Sequence, residues 1–139
     1  MIDIDNQTDY KIDENFLTSI LTSLSTKEIE LIITSNETIQ RINKEYRSID
    51  KATDVLSFPY ENMPMAPLGS IIISLNYVKS RAKEFGHSED AEFALLFIHG
   101  LLHLLGYDHE VDNGEMRQKE EELIMKFNLP KSLIVRTEG

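Results

Sequence analysis

Ile2 and Ile4 alternate with Asp3 and Asp5, the period-two pattern of a strand with one buried face. Asp13 then stands at a helix N-cap position, and Phe16, Leu17, Ile20, Leu21 and Leu24 recur at three- and four-residue steps. That spacing predicts an amphipathic helix. Ile29, Leu31 and Ile33 return to period two, and Asn36 is placed to cap a short helix presenting Ile39, Ile42 and Tyr46 on one stripe. A polar stretch from Arg47 to Thr53 leads into the strand Val55-Leu56-Ser57-Phe58. Pro59 stops that strand, because proline has no N–H to give a sheet ladder.

Glu61 to Pro67 reads as a surface loop, and Leu68 to Leu75 as a β-branched apolar strand. Ser74 or Asn76 starts a helix that Gly86 closes. Ser88-Glu89-Asp90 supplies both a cap and negative charge for the next helix. This helix runs to Leu105, where Gly106 is placed to end it in a left-handed turn. Asp112 with Glu115 reads as the capping box of a last helix through Phe127. About four strands come early and about five helices are weighted late. The expectation is an α+β fold, a small mixed sheet covered by helices, with one central apolar helix and a single domain over residues 1–139.

Composition narrows the function classes. Of the 139 residues 41% are apolar, which excludes a disordered linker protein. With 14 Lys and Arg against 24 Asp and Glu the net charge is -10, which excludes a bulk polycation, so an anionic partner must be met locally. The segment from Arg41 to Lys83 holds seven basic and four acidic residues, net +3, which leaves -13 for the rest of the -10 total. A cationic rim on an acidic body suits capture of a phosphodiester backbone, although most long cations on helices only dress the surface. Arg47 differs. It stands at a helix end before a polar loop, where a planar guanidinium can meet two phosphate oxygens.

Met1 to Asn6 is acidic and lacks the basic and apolar regions of a signal peptide. The longest apolar stretch, Phe93 to Leu105, holds two histidines and is too short to cross a bilayer. Together these features favour the cytoplasm and no membrane contact. The chain has no cysteine, so a transition-metal site must be built from histidine and carboxylate.

His99, His103 and His109 stand in the segment FIHGLLHLLGYDHE. Positions four apart on a helix share a face, so His99 and His103 can grip one ion. Gly106 frees the chain to reverse and bring His109 back toward the same point. An isolated histidine in an apolar helix is usually a hydrogen-bonded core residue, but two unpaired imidazoles among so many leucines would each cost kilocalories. A metal held by His99, His103 and His109, with one coordination position open, resolves that cost. Zinc is the expected ion, and nickel or another divalent metal also suits imidazole. His87, beyond Gly86, reads as a surface or capping residue.

The spacing His99, His103, Gly106, His109 also matches the metzincin peptidase skeleton, but Gly100 occupies the place of the glutamate that serves those enzymes as general base.

The stretch EYRSIDKATDVLSFP, followed by Leu68-Gly69, Ile71-Ile72-Ile73-Ser74 and HGLLHLLGYDHE, resembles the YbeY family of bacterial endoribonucleases. The likeness spans Arg41 to Phe127. It implies a metal-dependent, single-strand-specific endoribonuclease of the cytoplasm that matures ribosomal RNA, above all the small-subunit 3′ end, and serves ribosome quality control. It further implies zinc on His99, His103 and His109, catalytic roles for Arg47 and His103, and single-stranded RNA rather than DNA as partner, with small-subunit components and an assembly GTPase nearby. The family pattern has Asp after the Gly of its LGD strand, whereas this chain has Ser70, read here as packing at a strand start. Asp54 reads as a turn residue, and Asp108 as a turn cap or an orienting neighbour of a ligand. Two rival readings are a metallopeptidase and a ribosome-assembly module whose zinc is structural.

Overall fold

The computed structural model describes residues 1–61, 65–108 and 113–130. Its strands are β1 (Ile2–Asn6), β2 (Ile29–Thr34), β3 (Val55–Pro59) and β4 (Gly69–Ser74). Its helices are α1 (Glu14–Leu24), α2 (Asn36–Arg47), α3 (Leu75–Phe85), α4 (Glu89–Leu104) and α5 (Glu115–Lys126). The sheet order is β1-β2-β4-β3. β1, β2 and β4 are parallel, and β3 runs antiparallel to β4 at the edge. This is the mixed α+β arrangement that the pattern predicts.

The sheet has two faces because strand side chains alternate. Ile29, Leu31, Ile33, Ile71 and Ile73 point to the side of α1 and α4 and join Leu17, Ile20, Phe97 and Leu101 in the main core. Leu56 and Ile72 point the other way and pack with Ile39 of α2. β4 lies between β2 and β3 with apolar clusters on both faces, and all six of its residues are buried. That explains its continuous apolar run, the mark of a strand covered on both sides.

α4 is the central helix, with Phe97, Ile98, Leu101 and Leu102 fully buried. Gly100 lets it lie close to the sheet. A Cβ there would sit 2.9 Å from Ile71 Cγ2 and 3.2 Å from Ser57 Oγ. The Ser57 hydroxyl donates to the Gly100 carbonyl at 3.2 Å, a direct tie between helix and edge strand. At the other end of α4 the Tyr10 hydroxyl donates to Asp90 at 2.6 Å and its ring stacks on Phe93. Burial and the Asp90 carboxylate hold the Tyr10 phenol well above its ordinary pKa.

Asp13, Ser74 and Ser88 cap α1, α3 and α4 through their side chains, and Gly86 ends α3 in a left-handed turn, all as expected. Two local expectations change. Ser35, not Asn36, caps α2, while Asn36 Oδ1 accepts from Ser74 Oγ and its N–H donates to Asn76, tying α2 to α3. α5 starts at Glu115 behind a left-handed Gly114, and Asp112, the expected cap, lies outside the described residues. Tyr46, on the same stripe as buried Ile39, remains 67% exposed, touching Phe58 of β3 with the edge of its ring.

Candidate functional site

The residues that the sequence singles out are positioned by three local devices. The first ends α4. Gly106 adopts φ +98°, its N–H reaches the His103 carbonyl at 3.0 Å, and the Tyr107 N–H reaches Leu102 at 3.0 Å. This paired closure needs a residue tolerant of the left-handed region, which glycine is. The chain turns back, so that Tyr107 and Asp108 line the same cleft as His99 and His103.

The second device ends α2. Ser48 takes a left-handed conformation after Arg47, and the buried Asn43 amide donates to Lys51 O at 3.0 Å, pinning the polar loop. Asp54 then accepts from the Val55 N–H at 2.8 Å and from Thr53 Oγ1 at 3.3 Å, the turn role expected of it. Together these contacts bring β3 alongside the end of α2, and Arg47 Nη2 donates to the Ser57 carbonyl at 2.8 Å.

The third device was not read from the sequence. Glu120 of α5 is 2% exposed and its Oε1 lies 2.9 Å from His99 Nδ1. An ionised carboxylate only accepts, so this contact assigns the Nδ1 proton to His99 and leaves its Nε2 with a lone pair. Nε2 of His99 faces Nε2 of His103 at 3.1 Å, with the rings at 77°. Two nitrogens bound at ~2.0–2.1 Å to one tetrahedral zinc stand roughly 3.3 Å apart, so the pair suits a shared divalent metal. The signal for Glu120 lies in the stripe Met116, Glu120, Leu123, Ile124. Helical spacing puts that one carboxylate on a core face, where it needs a partner.

These groups meet in a cleft of about 360 Å³ lined by Arg47, Asp54, Ser57, His99, His103 and Asp108 among others. The cleft lies beside edge strand β3, on the α4 side of the sheet. Among the described residues no cluster of three or more His, Cys, Asp or Glu is arranged around a metal position, and His109 lies outside those residues.

The remaining candidates fall elsewhere. His87 is not a surface residue: its side chain is 3% exposed and its Nε2 lies 2.7 Å from Glu92 Oε1, itself fully buried. Its backbone N–H does close α3, on Ala82 O at 3.0 Å. Ser70 is buried in β4 and shares a hydrogen bond with the Tyr60 hydroxyl. Lys44 and Arg81 make exposed 3.9 Å pairs with Asp50 and Glu84, contacts worth little in water. Among the basic residues of that segment, Arg47 is the one that lines the cleft.

A mixed four-stranded sheet packed on a central apolar helix, with a guanidinium and two facing imidazoles lining one cleft at its edge, defines an α+β domain with a polar cleft. Residues 2–128 match the family model described as Endoribonuclease YbeY. The chain is 64% identical over 138 residues to Endoribonuclease YbeY of Nautilia profundicola, covering 99% of each. It is 58% identical to the protein of that name from Campylobacter jejuni, covering 94% of this chain and 96% of the relative. A solution structure of a Thermotoga maritima protein superposes with a TM-score of 0.61 at 28% identity, covering 96% of this chain and 95% of that one. The chain belongs to the endoribonuclease YbeY family of enzymes.

Proposed function

We propose that this chain is a zinc-dependent endoribonuclease of the cytoplasm that cuts single-stranded RNA, matures the 3′ end of small-subunit ribosomal RNA and serves ribosome quality control. The names of its relatives support the RNA chemistry. The metal part rests on one observation: Glu120 holds His99 Nδ1, which turns Nε2 toward His103 Nε2 at 3.1 Å. His99 and His103 would hold the ion, with His109 completing the set by its spacing in the motif. A zinc ion bound there supplies Lewis acidity beside the phosphodiester, and nickel is the alternative that imidazoles accept.

The chain's own residues do the rest. Arg47, fixed by the Ser57 carbonyl, binds the phosphate and neutralises the negative charge that grows as the bond breaks. Glu120 keeps His99 in one tautomer, so that the pair needs no rearrangement when the site fills. Asp108 lines the cleft beside the imidazoles. The acidic body elsewhere favours delivery of the RNA by a partner, and the family likeness points to small-subunit components and an assembly GTPase as that partner.

The peptidase reading lacks its base for a physical reason. The position after the first histidine is Gly100, where a Cβ alone would crowd Ile71, Ser57 and Val55 of the sheet, so α4 packs too closely there to carry a glutamate. The test is to offer zinc-loaded protein a matched single strand and duplex of RNA. Cleavage of the single strand alone is expected. A protein that binds zinc and leaves both intact is instead the structural-zinc module.

A further inference from the structure

Tyr46 raises a question that the cleft does not answer. It is 67% exposed, and Tyr60 across the same groove is 41% exposed, in a chain that otherwise buries most of its large apolar side chains. We propose that the groove on the α2 side of β3, formed by Tyr46, Phe58 and Tyr60, is a stacking subsite for a base of single-stranded RNA next to the phosphate bound by Arg47. The inference rests on the ribonuclease reading above and deepens it.

Alternation along β3 separates the two sides. Ser57 and Pro59 line the imidazole cleft and Phe58 lines the groove on the α2 side, while Leu56 packs on Ile39 of α2 and also borders the cleft. Arg47 joins them. Its Nη2 caps the Ser57 carbonyl on the edge strand at 2.8 Å, its guanidinium lies 5.3 Å from the Phe58 ring centroid, and it lines the imidazole cleft. A phosphate held at Arg47 therefore sits at the rim between cleft and groove. An adjoining nucleotide can turn its base over the edge of β3 without leaving that contact.

The groove has the chemistry of a base site. It holds about 470 Å³, and Ile32, Ile42 and Ile72 form its floor. Tyr46 and Phe58 meet edge to face, 5.7 Å apart at 63°. The Tyr60 hydroxyl is held by Ser70 and Glu30, which fixes that ring as the opposite wall. Glu45 lines the groove as well, so a phosphate is repelled from it while a neutral base is not. Flat π-faces beside an arginine that tracks the backbone are the elements by which single strands are held without base pairing.

The test is fluorescence anisotropy of a short fluorescein-labelled oligouridylate on the metal-stripped full chain, which removes cleavage from the measurement. Tyr46→Ala should weaken binding about 5- to 150-fold, the range for one base stacked on an aromatic ring, and Tyr46→Phe should restore it. A set of strands with one abasic nucleotide at each position should show one position whose loss matches that of Tyr46→Ala and adds nothing to it. Unchanged affinity in Tyr46→Ala overturns the subsite while wild-type cleavage keeps the ribonuclease reading standing. If Tyr46→Ala instead alters self-association in sedimentation and not RNA affinity, the groove belongs to a second copy and the proposal falls. Wild-type protein that neither binds nor cuts single strands sinks both.

Discussion

Glu120 Oε1 and His99 Nδ1 lie 2.9 Å apart across the α4–α5 interface, and this contact sets which nitrogen of His99 is left to face His103. The orientation of the two imidazoles therefore depends on α5, the helix that follows the histidine motif. Removing the carboxylate should loosen the site without removing any ligand. Glu120→Ala is expected to lower zinc affinity about 10- to 100-fold, and Glu120→Gln, whose amide oxygen still accepts from Nδ1, should fall between it and wild type. Competition with a chromophoric chelator reads both, and equal affinity in all three proteins would show that Glu120 only fills space.

Arg47 holds the edge strand through the Ser57 carbonyl, and the proposed mechanism gives it the phosphate rather than the metal. Arg47→Lys keeps the charge but loses the planar fork that binds Ser57 O and a phosphate together. We expect zinc content to stay at the wild-type level while the cleavage rate falls by about 2–4 kcal/mol of transition-state stabilisation. Metal analysis beside single-turnover kinetics separates the two, and a variant that loses its zinc contradicts this division of roles.

Gly100 is a packing requirement. A Cβ would press on Ile71 at 2.9 Å and on Ser57 Oγ at 3.2 Å. Gly100→Ala should destabilise the fold by about 1–3 kcal/mol, the usual range for an overfilled interface, measurable by urea unfolding. Stability equal to wild type would mean that α4 can shift away from β3 at no cost.

His87 serves the fold and not the cleft. Its ring and the Glu92 carboxylate meet at 2.7 Å with both side chains buried. His87→Ala should lower stability by about 1–3 kcal/mol through the lost hydrogen bond, with zinc stoichiometry unchanged. Loss of zinc in this variant would make His87 a ligand and redraw the site.

Much of the architecture was legible because local chemistry and tertiary context agree. The caps at Asp13, Ser74 and Ser88, the stop at Gly86 and the turn at Gly106 each follow from one side chain or its absence. His99 and His103 were legible together because helical spacing alone places them on one face. The rest depends on contacts between distant segments. Ser35 displaces Asn36 as a cap because Asn36 is drawn to Ser74 and Asn76 on another helix. His87 looked exposed beside a turn, but Glu92, one turn into α4, pulls it inward. Glu120 hid in a run of charged residues and shows only against the Met116, Leu123 and Ile124 stripe. The strand order follows no local rule, because β3 adds antiparallel beyond β4 at the edge.

We propose that the facing imidazoles hold a catalytic metal. The most direct measurement strips the protein with a chelator and follows single-stranded RNA cleavage while zinc is titrated back. Activity should be absent at the start, rise linearly and saturate at one zinc per chain, and His103→Ala should stay inactive at every point. Full cleavage by the stripped protein, or by His103→Ala, would contradict the account.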